Sequence, residues 1–516
     1  MKNIFLYSTI ALAAFTISCR EMDENISPNN VDPSQISPRQ MITAAETGVY
    51  AVQSGTMNQL SNVWTNTWAG NHYYFANPFS REFSLAISNN FANGIWNSSY
   101  LNAGNLQTII NNGQADGLPL HVAIAKILKA YNMQYIVDFY NDAPYSEAFK
   151  GQANLTPKYD KGSEIYKGLV TEINEAIALI DNTTVTSVNE VRSSEDVIFA
   201  GDMDSWKLFA NNVKLRLLLR QSKVTDATVR SFVDQQLQTF SGSTIADFYT
   251  SDVVIQPGYN NGTAAGLNPM YANYGRFTYD DSSINTNGWR LLKASANYAA
   301  YVNGTSPNTS GVTDPRGIRQ FSAVGGAVSG IVQGSQRDQT KTESQFSWLG
   351  WKFNNYASVN GGMDGYLMLG SEANLLLAEA AVTYPSIFTF DAYSRYQAAV
   401  QSSFVFYGLT AAQATTYLTN LSAKPYGWAG APNKIAAIQY QRLVSLANLR
   451  SVETYINYLK TGYPETPLAI GAQEANKPYR LIYPLSEYTS NSGNVPNMSN
   501  SDAFSKNQFT PFWNQN

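Results

Sequence analysis

Residues 63–83 read VWTNTWAGNHYYFANPFSREF, which sets Trp64, Trp68, Tyr73, Tyr74 and Phe75 among Asn66, Asn71, His72 and Arg81. The rings offer flat apolar faces, and the amides, imidazole and guanidinium offer hydrogen bonds around them. A sugar has the matching character, apolar C–H faces bordered by hydroxyls. Stacking with hydrogen bonds at the rim is therefore the chemistry this stretch supports. Two later stretches add to it: INTNGWRLL carries Trp289 and Arg290, and QFSWLGWKFNNY carries Trp348 and Trp351. Each aromatic contact contributes about 0.5–1.5 kcal/mol beyond burial, so two or three rings with their hydrogen bonds reach roughly micromolar affinity, about −8 kcal/mol. The expected ligand-binding residues are Trp68, Asn71, His72, Tyr73, Tyr74, Arg81, Trp289, Arg290 and Trp348. The competing role for any ring is packing, and Trp206, on a helical stripe, is expected in the core. Trp64 and Trp96 are assigned there too.

Catalysis has fewer candidates. The chain holds two histidines, His72 and His121, and a single cysteine, so no clustered His/Cys set exists to bind zinc. HExxH, GxSxG and the phosphate-cradling GxxxxGK are all missing. His121, near the start of a helix, is read as structural. Asp138 and Asp142 flank a helix end and Asp280 adjoins Asp281, which leaves a glycosidase-like carboxylate pair open as an alternative. The expectation is a binding protein with no catalytic residue, no metal and no cofactor.

Helices must position these groups. In LPLHVAIAKILKAYNMQYIVDFY, residues Leu120, Ile124, Ile127, Leu128, Tyr131, Tyr135 and Phe139 recur on one face. SEIYKGLVTEINEAIALI repeats the pattern, with Ser163 able to cap it, and DSWKLFANNVKLRLLLR follows with Asp204 as the expected N-cap. Further helices are expected over YLMLGSEANLLLAEAAV, DAYSRYQAAVQSSFVFYG and residues 431–460, the last with Pro432 near its start. Paired amphipathic helices stack to bury their faces, so the predicted fold is mainly α, a tetratricopeptide-like scaffold over about 39–240 and 363–516. Between about 241 and 362 the pattern dissolves into Gly, Asn, Ser and Thr with scattered aromatics, a loop-rich ligand-binding lobe.

The chain opens MKNIFLYSTIALAAFTIS and continues CREMDENISPNN. A lysine, an apolar run too short to span a bilayer and a small-residue exit predict a signal peptide over 1–18. The lone Cys19 directly after it resembles the lipidated first residue of a bacterial lipoprotein, although Thr16 stands where Leu is usual. The alternative is a secreted protein with an incidental cysteine. One acyl chain alone, at about 0.8 kcal/mol per buried methylene, holds only marginally, so several would be needed for a firm anchor. Residues 19–38, acidic at first and then punctuated by Pro28, Pro33 and Pro38, read as an extended tether. The acidic cluster is either a surface-export tag or solvated linker. No later apolar stretch is long enough to cross a membrane. A net charge of −4 without a basic stripe argues against nucleic acid. Aromatics nearly match charged residues, 13% against 14%, which suits an extracellular recognition protein.

With these residues in view, a family resemblance emerges. FYNDAPYSEA at 139–148 followed by TPKYDKGSEIY at 156–166, GDMDSWKLFANNVKLRLLLR at 201–220, Asp314-Pro315-Arg316, SEANLLLAEAA at 371–381, FYG at 406–408, LKTGYP at 459–464 and YRLIYPLSEYTSN at 479–491 stand in the order of SusD/RagB-like nutrient-binding lipoproteins. Each motif is weak alone, and the order spans nearly the whole mature chain. LANLRSVETYINYLKTGYP departs from the pattern by lacking a Trp and an Arg pair. The resemblance implies one SusD-like domain over 39–516, built on four tetratricopeptide-like units. It implies a lipoprotein on the outer-membrane surface of a Gram-negative bacterium that captures oligosaccharide and delivers it to a SusC-like TonB-dependent transporter, on which it sits as a hinged lid. Peptide is the alternative cargo within the same system, and the aromatic surplus favours glycan.

Overall fold

The computed structural model describes residues 35–279, 283–354 and 361–515. The apolar leader, Cys19, most of the expected tether, and the Asp280–Asp281 pair lie outside them.

The chain is mainly α. Gly94–Ala115 packs on Pro119–Tyr140, which packs on Gly162–Asn182, which in turn meets Met203–Arg220. Met203–Arg220 also touches Gly370–Thr383, and that helix holds Ala392–Phe406 and Lys434–Leu446. Ser451–Thr461 lies on both Lys434–Leu446 and Asn58–Trp64, so the late helices close back on the early ones.

Local chemistry explains where these helices begin and stop. Pro119 opens its helix in the first turn, where a missing N–H costs nothing. The expected stripe on that helix understates its burial: from Leu120 to Tyr140 every residue except Lys126 is buried, because the helix is sandwiched between neighbours. The cap of Met203–Arg220 is Asp202 rather than Asp204; its carboxylate accepts from the N–H groups of Asp204 and Ser205. Gly201, at φ +84 and with the Val191 carbonyl where a Cβ would stand, makes the turn into that cap. Ser163 does not cap Gly162–Asn182 either. The Gly162 N–H donates instead to the Asp142 carboxylate, 3.0 Å away on the preceding connection. The helix expected over 431–460 is two helices, Lys434–Leu446 and Ser451–Thr461, broken at Asn448, which holds φ +72. Asn448 turns that break into a junction: its N–H donates to Asn62 Oδ1 (3.0 Å), its amide donates to the Gln320 carbonyl (3.0 Å), and its Oδ1 accepts from the Trp68 indole (2.6 Å).

Charges are buried where the helices converge. Arg216, Arg220 and Arg450 face Asp138, Glu372 and Glu453, all essentially inaccessible. Asp138 is thus an Arg220 partner and accepts from the Tyr166 hydroxyl at 2.5 Å. His121 is buried against Glu195 at 3.0 Å, and Trp206 is buried with its indole on Asp196 at 2.7 Å. Trp64 and Trp96 are also in the core.

Among the described residues of 241–362 no helix exceeds the seven residues of Ala296–Val302. Two antiparallel strand pairs stitch this region to the helices: Trp68–Gly70 with Leu292–Ala294, and Val253–Ile255 with Gly365–Met368. The early loop at 65–93 therefore belongs in space with the later loops. That brings the aromatic stretch of 63–83 against residues nearly 300 positions away.

Candidate functional site

Trp68 starts this local structure but does not face solvent. Its side chain is fully buried, edge-on to Tyr274 at 5.0 Å, and its backbone pairs with Ala294. The Gln333 amide donates to the Trp68 and Val63 carbonyls (2.6 and 2.8 Å), which draws the 333–337 loop alongside. Ile470 N–H then donates to the Gln333 carbonyl (2.9 Å) and brings in a third segment. Gly334 holds φ +74, and a Cβ there would stand 2.0 Å from the Ile470 carbonyl, so only glycine permits this approach.

These segments enclose an open cleft of about 580 Å³. His72, Tyr73, Tyr74, Asn77 and Phe83 line it from the early loop; Ser335, Gln336 and Arg337 line it from the middle, and Ile470 from the third segment. The volume falls in the range of small-molecule and oligosaccharide sites, roughly 300–1,000 Å³.

Asn71 is buried rather than ligand-facing, and it organises the turn. Its side-chain amide donates to the Arg290 carbonyl (2.8 Å) and Glu343 Oε1 (2.7 Å), while its backbone carbonyl accepts from the N–H groups of Tyr74 and Phe75. Arg290 pairs with Glu343 through two contacts of 3.3 Å and lies over Tyr74, its carbon 4.1 Å from the ring centroid. Tyr74 is 37% exposed and lines the cleft. Tyr73 is half-buried. It stacks on Phe346 (4.9 Å, 27°) and carries the Arg337 guanidinium at 5.3 Å. His72 leans on Tyr73 at 4.7 Å. Burial lowers the His72 pKa, with Arg337 adding to the shift against a hydrogen bond to the Ser335 backbone, so the ring is neutral at neutral pH.

The second group of expected rings lies elsewhere. Trp289 is buried and stacks on Trp348 at 4.2 Å and 12°. Lys293 Nζ sits 2.9 Å from the Trp348 centroid and donates to the Glu343 and Phe346 carbonyls. A ring at 4.2 Å and a nitrogen at 2.9 Å cannot share a face, so both faces of Trp348 are taken and neither tryptophan can stack on a sugar. Burial pushes the Lys293 ammonium down to about 6, so the amine there is neutral at pH 7. Arg81 is exposed but turned into its own loop, donating to Ser88 Oγ (2.8 Å) and the Ala86 carbonyl, and lines an adjacent hollow with Phe75.

Of the nine expected residues, the structure thus gathers His72, Tyr73 and Tyr74 in the cleft, with Arg290 behind Tyr74. It withdraws Trp68, Asn71, Trp289 and Trp348 into packing and turns Arg81 aside. Phe83, Gln336, Arg337 and Ile470 line the cleft and were not anticipated. Only contacts between distant segments reveal them. Another hollow, between Pro38–Val52 and Gly94–Ala115, has neither aromatic nor ionisable lining. Among the described residues no group of three or more His, Cys, Asp or Glu could hold a metal ion, and no helix is long and apolar enough to cross a membrane.

The chain, a helical scaffold that carries loops with an aromatic cleft, belongs to the SusD-like family. The family described as "Starch-binding associating with outer membrane" matches residues 28–484. Solved structures share the fold. A chitin-binding SusD homolog from Flavobacterium johnsoniae is 20% identical with a TM-score of 0.68, covering 92% of this chain and 98% of its own. A SusD homolog from Parabacteroides distasonis is 18% identical with a TM-score of 0.69, covering 93% and 98%. One from Bacteroides uniformis is 20% identical with a TM-score of 0.66, covering 88% and 95%. Comparison with curated proteins gives no match.

Proposed function

We propose that this protein captures glycans in the cleft between residues 72–84, 334–337 and 470–471. The observation that carries this reading is Tyr74: a partly exposed ring, backed by the Arg290 cation, in an open cleft lined also by Asn77, Ser335 and Gln336. The family description names starch and the outer membrane, and two structural relatives are described as chitin-binding, which supports glycan over peptide. The cleft lining contains no Asp or Glu. Glycoside hydrolysis in its usual form needs two carboxylates, so the lining supports binding without catalysis. In this reading residues 1–18 are a signal peptide, Cys19 carries lipid, and residues 19–38 tether one SusD-like domain to the outer membrane. The cargo passes to a SusC-like TonB-dependent barrel.

Electrophoresis through gels containing polysaccharides tests the capture. Tyr74→Ala should weaken retention roughly twofold to twelvefold, the value of about 0.5–1.5 kcal/mol for one aromatic contact, at unchanged stability. Undiminished retention would remove Tyr74 from the site, and binding to peptides alone would reassign the cargo. For the anchor, labelled palmitate should enter the wild type and not Cys19→Ala, and the barrel should co-purify with the chain from outer membranes. Label persisting in the variant refutes lipidation at Cys19.

A further inference from the structure

The charges of the cleft say more about its ligand than its rings do. Its lining holds one permanent cation, Arg337, beside His72, and no carboxylate. The chain as a whole is acidic, with 38 Asp and Glu against 34 Lys and Arg. Other cations near the cleft are engaged: Arg290 by Glu343, and Lys341 by Asp338 at 3.8 Å. Asp338, next to Arg337 in sequence, also accepts from the Thr340 N–H and hydroxyl (3.0 and 2.7 Å). Arg337 itself is exposed and forms no ion pair among the described residues. Its guanidinium lies against the Tyr73 ring and beside His72.

That contact matters because of what else lies against the ring. Phe346 stacks on Tyr73, His72 leans on it and the Arg337 guanidinium lies 5.3 Å from its centroid, so protein groups already crowd this ring. A ligand entering beside Tyr74 meets a guanidinium where a second platform would have been. A neutral sugar would leave that cation without a counter-charge. An anionic one would pair with it, and the guanidinium fork matches a carboxylate or sulfate in two parallel hydrogen bonds.

We propose that the cleft selects glycans bearing an anionic group, a uronate carboxylate or a sulfate ester, through Arg337. This rests on the glycan-capture reading above. The experiment compares retention of the full chain by polygalacturonate, by the same polymer with its carboxyls methyl-esterified, by a sulfated galactan, and by the unsulfated galactan. Each acidic polymer is thus matched to a neutral partner of the same backbone. At least one acidic polymer should bind about tenfold more tightly than its partner, as expected for a charge-assisted bidentate contact. Which pair shows the preference distinguishes carboxylate from sulfate. Raising sodium chloride from about 50 mM to about 500 mM should erode the preference, because the contact is near solvent. Arg337→Gln should abolish it, bringing retention of the acidic polymer down to that of its neutral partner measured on the same variant; Arg337 is exposed, so folding should be intact by circular dichroism. Equal retention within both pairs overturns anionic selection and leaves glycan capture standing. A preference that survives Arg337→Gln overturns the assignment to this cleft. Failure of every glycan tested, these four polymers and the wider panel above, to retain the wild type would sink the capture reading itself, and this inference with it.

Discussion

Glu453→Gln should destabilise the protein by about 3–5 kcal/mol, the cost of breaking a buried ion pair on one side. Glu453 is fully buried, with Arg220 3.1 Å from one carboxylate oxygen and Arg216 3.5 Å from the other, and it accepts from the Tyr135 hydroxyl at 2.9 Å. Arg450, in the same cluster, also bonds Tyr135 and pairs with Glu372 at 3.3 Å. Three guanidinium groups face three carboxylates there, and glutamine leaves one positive charge without its counterion in a place water cannot reach. Because domains are stable by only about 5–15 kcal/mol, the loss should appear as a large drop in the urea midpoint. By contrast Glu164→Gln, which removes an ion pair whose members are 60% and 51% exposed, should move the midpoint by less than about 1 kcal/mol. Burial raises the Glu453 pKa, but Arg220, Arg216 and Arg450 outweigh it and hold the carboxyl well below its ordinary 4.5. A carboxylate with a depressed pKa contributes stability that is present above about pH 4.5 and lost as pH falls. The variant should accordingly lose less stability than the wild type between neutral and acid pH. An unchanged midpoint and an unchanged acid limb would refute the ionic account of the core.

The same cluster shows what sequence alone conveys and what it does not. Trp206, Phe209, Val213 and Leu217 repeat at helical spacing and are buried as that spacing requires. Arg216 and Arg220 sit on the same helix, and nothing in their spacing tells that they point inward; their partners come from residues 138, 372 and 453. Helix ends were legible to within a few residues, and the exact caps were not, since Asp142 caps Gly162–Asn182 from outside and Asn448 breaks a continuous helical pattern to meet Asn62, Trp68 and Gln320. For the site, the residue types were legible and their exposure was not. Tryptophan and tyrosine bury as readily as they stack, provided the polar edge finds a partner. Trp68 finds Asn448 and Trp289 finds the Leu349 carbonyl. Trp68 is held inside by its strand pair and Asn448, whereas Tyr74 follows the turn built on Asn71, which depends on Glu343 some 270 residues later.

Trp68→Ala is the variant that separates framework from contact. Trp68 lies in the stretch richest in recognition residues, yet it is enclosed by the strand pair, Tyr274 and Asn448. Truncation removes the largest buried side-chain type and leaves the Asn448 Oδ1 without its indole donor. A cost of about 3–5 kcal/mol is expected for a core tryptophan, with a further penalty of about 1–3 kcal/mol if the Asn448 oxygen finds no new donor. The strand beneath the cleft should loosen as well, because the Trp68 carbonyl shares the Gln333 amide that holds the 333–337 loop. Both the urea midpoint and glycan retention should therefore fall together, whereas Tyr74→Ala should lower retention alone. If Trp68→Ala instead keeps the wild-type midpoint and loses only retention, the ring touches ligand and its burial here is not the binding state. If it keeps both, the junction at Asn448 is not what secures the cleft. The difference between the two variants is physical: an indole wholly enclosed by the fold against a phenol partly exposed in the cleft.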